Sequence, residues 1–285
     1  MPEAGVRRTP RMRVAAIGMV TPGPDWSQLE HQLMGAAGRG AVLALLPELF
    51  AWPYFGAAEP QLWHHAFESL AGPTLAWAAE IAARGGIVLL VPMPHASDNG
   101  YRHNAVVRVD PDRRCRVVAT KIHLAPPGRD GCSESDHFAS GPAQVMVHAV
   151  GALRIAVLIC YDRRIPACWQ AARAAGAELV LVPVAGPADD PADYFHAEIR
   201  THARETGVYV LTAAKCGIDA IGGEHVRNDG DTIAVAPDGS ILAALHGCPG
   251  LVLLDVDKAA LALARQRTAS FDRARPVVGH HMNEQ

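Results

Sequence analysis

A chain of 285 residues with 49% hydrophobic content can bury a large core, and its length suits one large α/β domain as well as two small ones. A formal charge of -3 without a basic aromatic stripe argues against nucleic acid as the main partner and leaves a small molecule as the expected one. The six cysteines (Cys115, Cys132, Cys160, Cys168, Cys216, Cys248) form no CxxC pair, and the apolar run Val14 to Val20 is too short to cross a bilayer, so a cytoplasmic protein without disulfides or a membrane partner is expected.

Residues 1 to 11 are polar and basic, and read as a disordered leader. No linker, charge run or repeat divides residues 12 to 285, so a single domain is expected. A strand from Arg13 to about Val20 is followed by a helix from about Trp26 to Ala37. Next comes an apolar strand, Ala41 to Leu46, closed by Pro47-Glu48. A carboxylate at that strand end is either solvated or held in a pocket. Leu49 to Phe55 places four aromatics around Pro53, either as core or as the wall of a cleft.

Gly72-Pro73-Thr74 opens a helix to about Arg84, Gly85-Gly86 ends it, and Ile87 to Val91 continues as a buried strand. Strands Tyr101 to Val109 and Cys115 to Thr120 are joined by the turn Asp110-Pro111-Asp112-Arg113, and the second delivers Lys121. Residues 125 to 142 then read as a long loop containing Glu134, of the kind that is usually functional or mobile.

The run from Leu153 to Ile159 reads as a buried strand ending in Cys160, and Pro166 starts a helix. A thiol on such a strand-to-helix turn is lifted from the sheet, and helix N-H groups there favour a thiolate and can bind an oxyanion. A buried, inert cysteine fits the local sequence somewhat better, since free Cys is among the most buried residue types, and local sequence leaves both readings open. Beyond it come a strand (about Glu178 to Val184), a helix (about Tyr194 to Thr206) and a strand (Val208 to Ala214). Three strands near Thr232 to Val235, Ile241 to Leu245 and Val252 to Val256 precede a helix from Lys258 and a tail from Phe271. This alternation predicts two sheets covered by helices.

Three strand ends thus present Glu48, Lys121 and Cys160. A carboxylate can take a thiol's proton, a lysine can stabilise thiolate and oxyanion, and the Tyr161 N-H can be a second oxyanion donor. Fourteen histidines show no His-Glu-x-x-His, the pairs His64-His65 and His280-His281 are adjacent, and no Gly-x-Gly-x-x-Gly or P-loop occurs. Neither a metal nor another cofactor is expected.

Pro47-Glu48-Leu49-Phe50, Lys121-Ile122-His123-Leu124 and Ile159-Cys160-Tyr161-Asp162-Arg163-Arg164 resemble the three signature motifs of the nitrilase superfamily of carbon-nitrogen hydrolases. Gly40-Ala41, Gly72-Pro73-Thr74, Asn104-Ala105-Val106-Val107 and Pro237-Asp238-Gly239 resemble further markers in the same order. The resemblance implies a four-layer αββα sandwich, a Glu48-Lys121-Cys160 triad, and a homodimer or higher homo-oligomer. The segment Glu134 to Gly141 is similar to the one carrying that family's second glutamate, which gives Glu134 a place beside the triad.

Within the family, Glu48-Leu49-Phe50 with Pro53-Tyr54-Phe55 is similar to β-ureidopropionases and N-carbamoylputrescine amidases. Cys160 to Arg164 resembles N-carbamoyl-D-amino-acid amidohydrolases, whose paired arginines hold a substrate carboxylate. The resemblance thus implies hydrolysis of an N-carbamoyl amino acid or amine, with Tyr54, His123, Tyr161, Arg163 and Arg164 on the substrate side. His123 also fits a hydrogen-bond partner outside the pocket, and the two arginines also fit plain pairing with Asp162 and helix-face acids. A simple amidase or nitrilase, an acyl transferase, or a silent binding protein of the same fold are the alternatives. Gly18, Ala167, Ala214 and Asp231 depart from the family's usual residues and leave the pocket open to question.

Overall fold

The computed structural model describes residues 12–21, 23–126, 133–186, 193–221 and 224–273; the leader at 1–11, Cys132, and the tail beyond Arg273 lie outside them. In chain order the first elements are β1 (Met12–Val20), α1 (Trp26–Gly38), β2 (Ala41–Leu45), α2 (Pro73–Gly85) and β3 (Val88–Ala96). They are followed by β4 (Arg102–Val109), β5 (Cys115–Thr120), α3 (Glu134–His137), β6 (Val147–Val150) and β7 (Leu153–Val157). The second half holds α4 (Pro166–Ala174), β8 (Leu179–Val184), α5 (Tyr194–Thr206), β9 (Tyr209–Ile221) and β10 (Glu224–Asp229). Last come β11 (Thr232–Val235), β12 (Ile241–Leu245), β13 (Gly250–Val256) and α6 (Lys258–Arg267).

Local chemistry sets the helix ends. The Asp25 carboxylate accepts the Gln28 N-H at 3.0 Å and starts α1. Pro73 fills the first position of α2, where its missing N-H costs nothing, and Gly86 ends it in a left-handed conformation at φ 60°.

One half-sheet runs β5-β4-β3-β2-β1 with β13 antiparallel on β1; the other runs β6-β7-β8-β9 with β11 and β12 beyond. They join where β1 and β9 pair in parallel through Met19 with Lys215 and Val20 with Cys216. Strand alternation sorts the faces. Val14, Ala16, Leu43, Leu45, Val88 and Leu90 share a core with Ile155, Leu179, Leu181 and Val210 of the other half-sheet. Trp169 of α4 and Phe195 and Ile199 of α5 extend that core on its far side. Ala15, Ile17, Ala44, Leu46, Leu89 and Val91 pack instead on Leu29 and Leu33 of α1 and Leu75 and Ile81 of α2. The layers are therefore α, β, β, α, as the resemblance implies. Each fully buried Leu or Ile contributes about 1.5 to 3 kcal/mol, so burial on two faces per sheet is what holds the layers together.

Several elements differ from expectation. Strand β3 continues through Pro92 and Pro94, because β2 flanks it only to Leu90 and the bridge beyond, Glu68 with His95, uses the Pro94 carbonyl and the Ala96 N-H, so the missing proline N-H groups disrupt no ladder. Strand β9 runs on past Ala214 to form a ribbon with β10, and β6 pairs with β7. Inside the expected loop after Lys121, Ser133 and Asp136 close a capping box around the single turn α3. Among the described residues no helix is long and apolar enough to cross a membrane.

Candidate active site

Glu48, Lys121 and Cys160 follow β2, β5 and β7, and the sandwich brings all three ends together. Lys121 is fully buried, and its Nζ donates to Glu48 Oε1 at 2.9 Å and to Glu134 Oε1 at 2.6 Å. The remaining carboxylate valences are filled by neutral donors. Asn104 Nδ2 donates to Glu48 Oε1 at 2.7 Å, and the Ala185 N-H to Glu48 Oε2 at 2.9 Å. Tyr54 Oη donates to Glu134 Oε1 at 2.9 Å and the Ala125 N-H to Glu134 Oε2 at 2.7 Å. The Cys160 thiol donates to Ala185 O at 3.4 Å, so one peptide residue links the thiol to the Glu48 carboxylate.

Two non-glycine residues at the site have positive φ: Leu49, after the carboxylate, at 47°, and Cys160 itself at 46°. Left-handed backbone costs an L-residue on the order of 1 kcal/mol or more and persists only where surrounding bonds over-determine it. For Leu49 the bond is visible, since buried Lys215 donates from Nζ to Leu49 O at 2.7 Å and also to Trp52 O. At Cys160 the Asp162 carboxylate holds the turn, accepting the N-H groups of Ile159, Ile122 and His123.

Electrostatics follow from burial and from two carboxylates around one ammonium. Burial alone lowers the Lys121 pKa, but Glu134 and Glu48 outweigh it and hold the ammonium well above the ordinary lysine range. Burial, then Glu134 and Glu48, push the Tyr54 phenol well above its usual value. Burial and Glu48 push the Cys160 thiol up to about 12 against the opposing pull of Lys121 and Arg163. The expected helix-favoured thiolate is corrected on this point. Cys160 opens a 3-10 turn, Cys160–Arg164, and α4 starts only at Pro166, so desolvation prevails and the resting group is a thiol.

A pocket of about 40 Å³ opens over the thiol, lined by Tyr54, Ala125, Cys160, Tyr161, Arg163, Arg164 and Gly186 among others. Arg164 lies over the Tyr161 ring, 5.7 Å from its centroid. Arg163 does not have the free guanidinium that carboxylate binding requires. It is 3% exposed, ion-paired through Nε with Glu198 Oε2 of α5 at 2.9 Å, and bonded to Cys160 O at 3.1 Å. That is the helix-face pairing left open by the sequence. His123 sits outside the pocket, with Nδ1 3.0 Å from Asp162 Oδ1 and 3.6 Å from Cys168 Sγ, and so supports the turn instead of facing substrate.

Several contributors escaped sequence reasoning. Asn104 lies in one of the marker segments, but nothing beside it in sequence points to its bond with Glu48, and the Ala185 N-H and Glu198 carry no local signal. Lys215, whose pKa burial lowers to about 8 against Asp219 and Glu48, looked like part of an ordinary strand. The departures have local reasons. A Cβ on Gly18 would lie 3.0 Å from Thr232 Oγ1 and 3.1 Å from Cys248 O, so a side chain there needs both neighbours to give by a few tenths of an ångström. Ala214 gives way to Gly230, whose added Cβ would sit 2.9 Å from it, and Ala167 is exposed on α4. Asp231 has turned to two histidines, His196 and His246.

The sequence profile of carbon-nitrogen hydrolases matches residues 13–266. The human deaminated glutathione amidase is 31% identical over 276 residues, covering 92% of this chain and 82% of the relative. An omega-amidase from Xenopus tropicalis is 28% identical over 242 residues, covering 81% of this chain and 82% of the relative. Among solved structures, a carbon-nitrogen hydrolase from Helicobacter pylori G27 shares the fold at TM-score 0.79 and 19% identity, over 93% of this chain and 96% of that one. A mutant amidase from Nesterenkonia sp. AN1, carrying the acetamide moiety of fluoroacetamide on its active-site cysteine, aligns at TM-score 0.70 and 27% identity, over 92% of this chain and 95% of that one.

Proposed function

The chain belongs to the carbon-nitrogen hydrolase family, and from that premise we propose that it hydrolyses the C-N bond of a small amide through a thioester on Cys160. The observation that carries this reading is the buried chain from Tyr54 through Glu134, Lys121 and Glu48 to Ala185, ending at the thiol. Because the thiol is protonated at rest, attack needs a base, and Glu48 is that base. Moving the proton from Cys160 to Glu48 as sulfur attacks the carbonyl carbon adds no net charge to the buried site.

The charge appears instead on the carbonyl oxygen, where Lys121 Nζ and the Tyr161 N-H stabilise it. Glu48 returns the proton to the leaving nitrogen, ammonia or an amine departs, and the acyl group remains on sulfur. Glu48 then takes a proton from water, water attacks the thioester, and the acid leaves as the thiol is restored. Glu134, with every oxygen engaged, orients Lys121 and keeps it charged.

The named relatives are amidases, which favours an amide over the carbamoyl substrate expected from the motifs. The carbamoyl acid stays as a second reading because Arg164 lies on the pocket wall, where a guanidinium suits a substrate carboxylate. Ammonia release from a panel of small amides, ureido acids, ureido amines and nitriles, with Cys160→Ser as control, tests the choice. Release confined to ureido compounds overturns the amide reading, and release from none favours a silent binding protein. Hydroxamate formed with added hydroxylamine reports acyl transfer. Homo-oligomerisation belongs to the same proposal, and light scattering on the active protein decides it.

A further inference from the structure

Outside the pocket, three chain-distant residues converge on one point: His196 of α5, Asp231 between β10 and β11, and His246 after β12. His196 Nε2 lies 2.7 Å and His246 Nδ1 3.0 Å from the same oxygen, Asp231 Oδ2, and the two rings are 5.0 Å apart. The other carboxylate oxygen accepts the Gly247 N-H at 2.8 Å, which fixes Oδ2 toward the imidazoles. We propose that His196, Asp231 and His246 form a binding site for one divalent transition-metal ion of the zinc type.

The donor set is right for such an ion: two neutral imidazoles and one carboxylate, with water completing a tetrahedron. Zinc bonds of about 2.0 to 2.1 Å at tetrahedral angles separate ligand atoms by about 3.3 Å. The present 2.7 and 3.0 Å contacts therefore open by about 0.6 and 0.3 Å to admit an ion. Each imidazole then presents a lone pair where it now presents a proton, by holding its proton on the other ring nitrogen. The Gly247 N-H is the outer-shell bond that orients a ligating carboxylate. His196 and Asp231 are 19% and 20% exposed, whereas His246 is 66% exposed, so an ion reaches the site from solvent and His246 closes it.

The other grouping of this kind among the described residues, His123, Asp162 and Cys168, is a poorer candidate. Its carboxylate is already committed to three backbone N-H groups that hold the Cys160 turn.

Zinc titration calorimetry on the metal-stripped full chain with Cys160→Ser, which removes the reactive thiol as a rival ligand, tests the proposal. One ion per chain is expected, with affinity falling at least about tenfold in both His196→Ala and His246→Ala made in that background. His246 is exposed in a loop, so its replacement leaves the fold intact. Cobalt(II) should show a visible spectrum without a sulfur-to-metal charge-transfer band. Absence of binding, unchanged affinity in both histidine variants, or a thiolate band abolished by Cys248→Ser overturns it.

Discussion

Replacing Glu134 by Gln keeps the shape of the buried cluster and removes one charge. At 2.6 Å and an effective dielectric near 20, the attraction between Lys121 and Glu134 is on the order of 6 kcal/mol before solvation is counted. The amide oxygen of Gln returns about 1 kcal/mol as a neutral hydrogen bond. Lys121 then keeps Glu48 as its one anionic partner, and the burial that opposes its charge is no longer outweighed so heavily. Its proton is lost at lower pH, and with it the cation facing the oxyanion, a donor worth about 10² to 10³ in rate. The expected outcome is a kcat about 10²-fold lower with KM little changed, and a loss that deepens as pH rises. Steady-state ammonia release across the alkaline range measures this, with Glu134→Asp recovering part of the alkaline profile. A Glu134→Gln enzyme with wild-type kcat and pH profile would refute the claim that Glu134 acts through Lys121.

Tyr54→Phe removes the hydroxyl bonded to Glu134 and should lower kcat about tenfold, close to 1.4 kcal/mol, with KM measured alongside to separate positioning from binding. Arg163→Ala removes one partner of the buried ion pair with Glu198, so thermal unfolding should show a loss of up to about 3 to 5 kcal/mol; a stable variant that loses affinity only for ureido acids would restore Arg163 to substrate binding. For Lys215 the native pKa of about 8 lies below the unfolded 10.5, so the unfolded chain binds more protons in that window and stability rises with pH across it. Chemical denaturation near pH 8 and near pH 9.5 should show this as about 2 kcal/mol gained by the wild type and absent in Lys215→Met.

The strands that carry the reactive groups were readable because each is a run of apolar residues cut off sharply by Pro47, Lys121 or Cys160. The motifs at those ends then ordered the whole sandwich. What stayed hidden depends on contacts between distant segments. Nothing near Arg163 announces Glu198, and nothing near Glu48 announces the Ala185 N-H. The ribbon of β9 and β10 was missed because Gly217 and the polar run Glu224 to Asp229 break the alternation that marks a half-buried strand. The acidity of Cys160 was misjudged for a related reason, since local turn geometry suggested a favourable dipole while three-dimensional burial decides the sign.

The corner where β1 meets β9 over two residue pairs has a consequence for how the molecule assembles. Glu48, Asn104 and Lys121 belong to one half-sheet, Cys160 and Ala185 to the other, and each half has its own strand pairings to close first. During refolding, amide hydrogen-exchange protection within either half should therefore precede the return of turnover, which waits for the halves to dock. Until they dock, Cys160 is hydrated and its thiol keeps ordinary acidity, because burial is the main cause of the rise. A chain caught part-way is thus alkylated at Cys160 faster than the finished enzyme, and the fading of that reactivity times the closing of the sandwich.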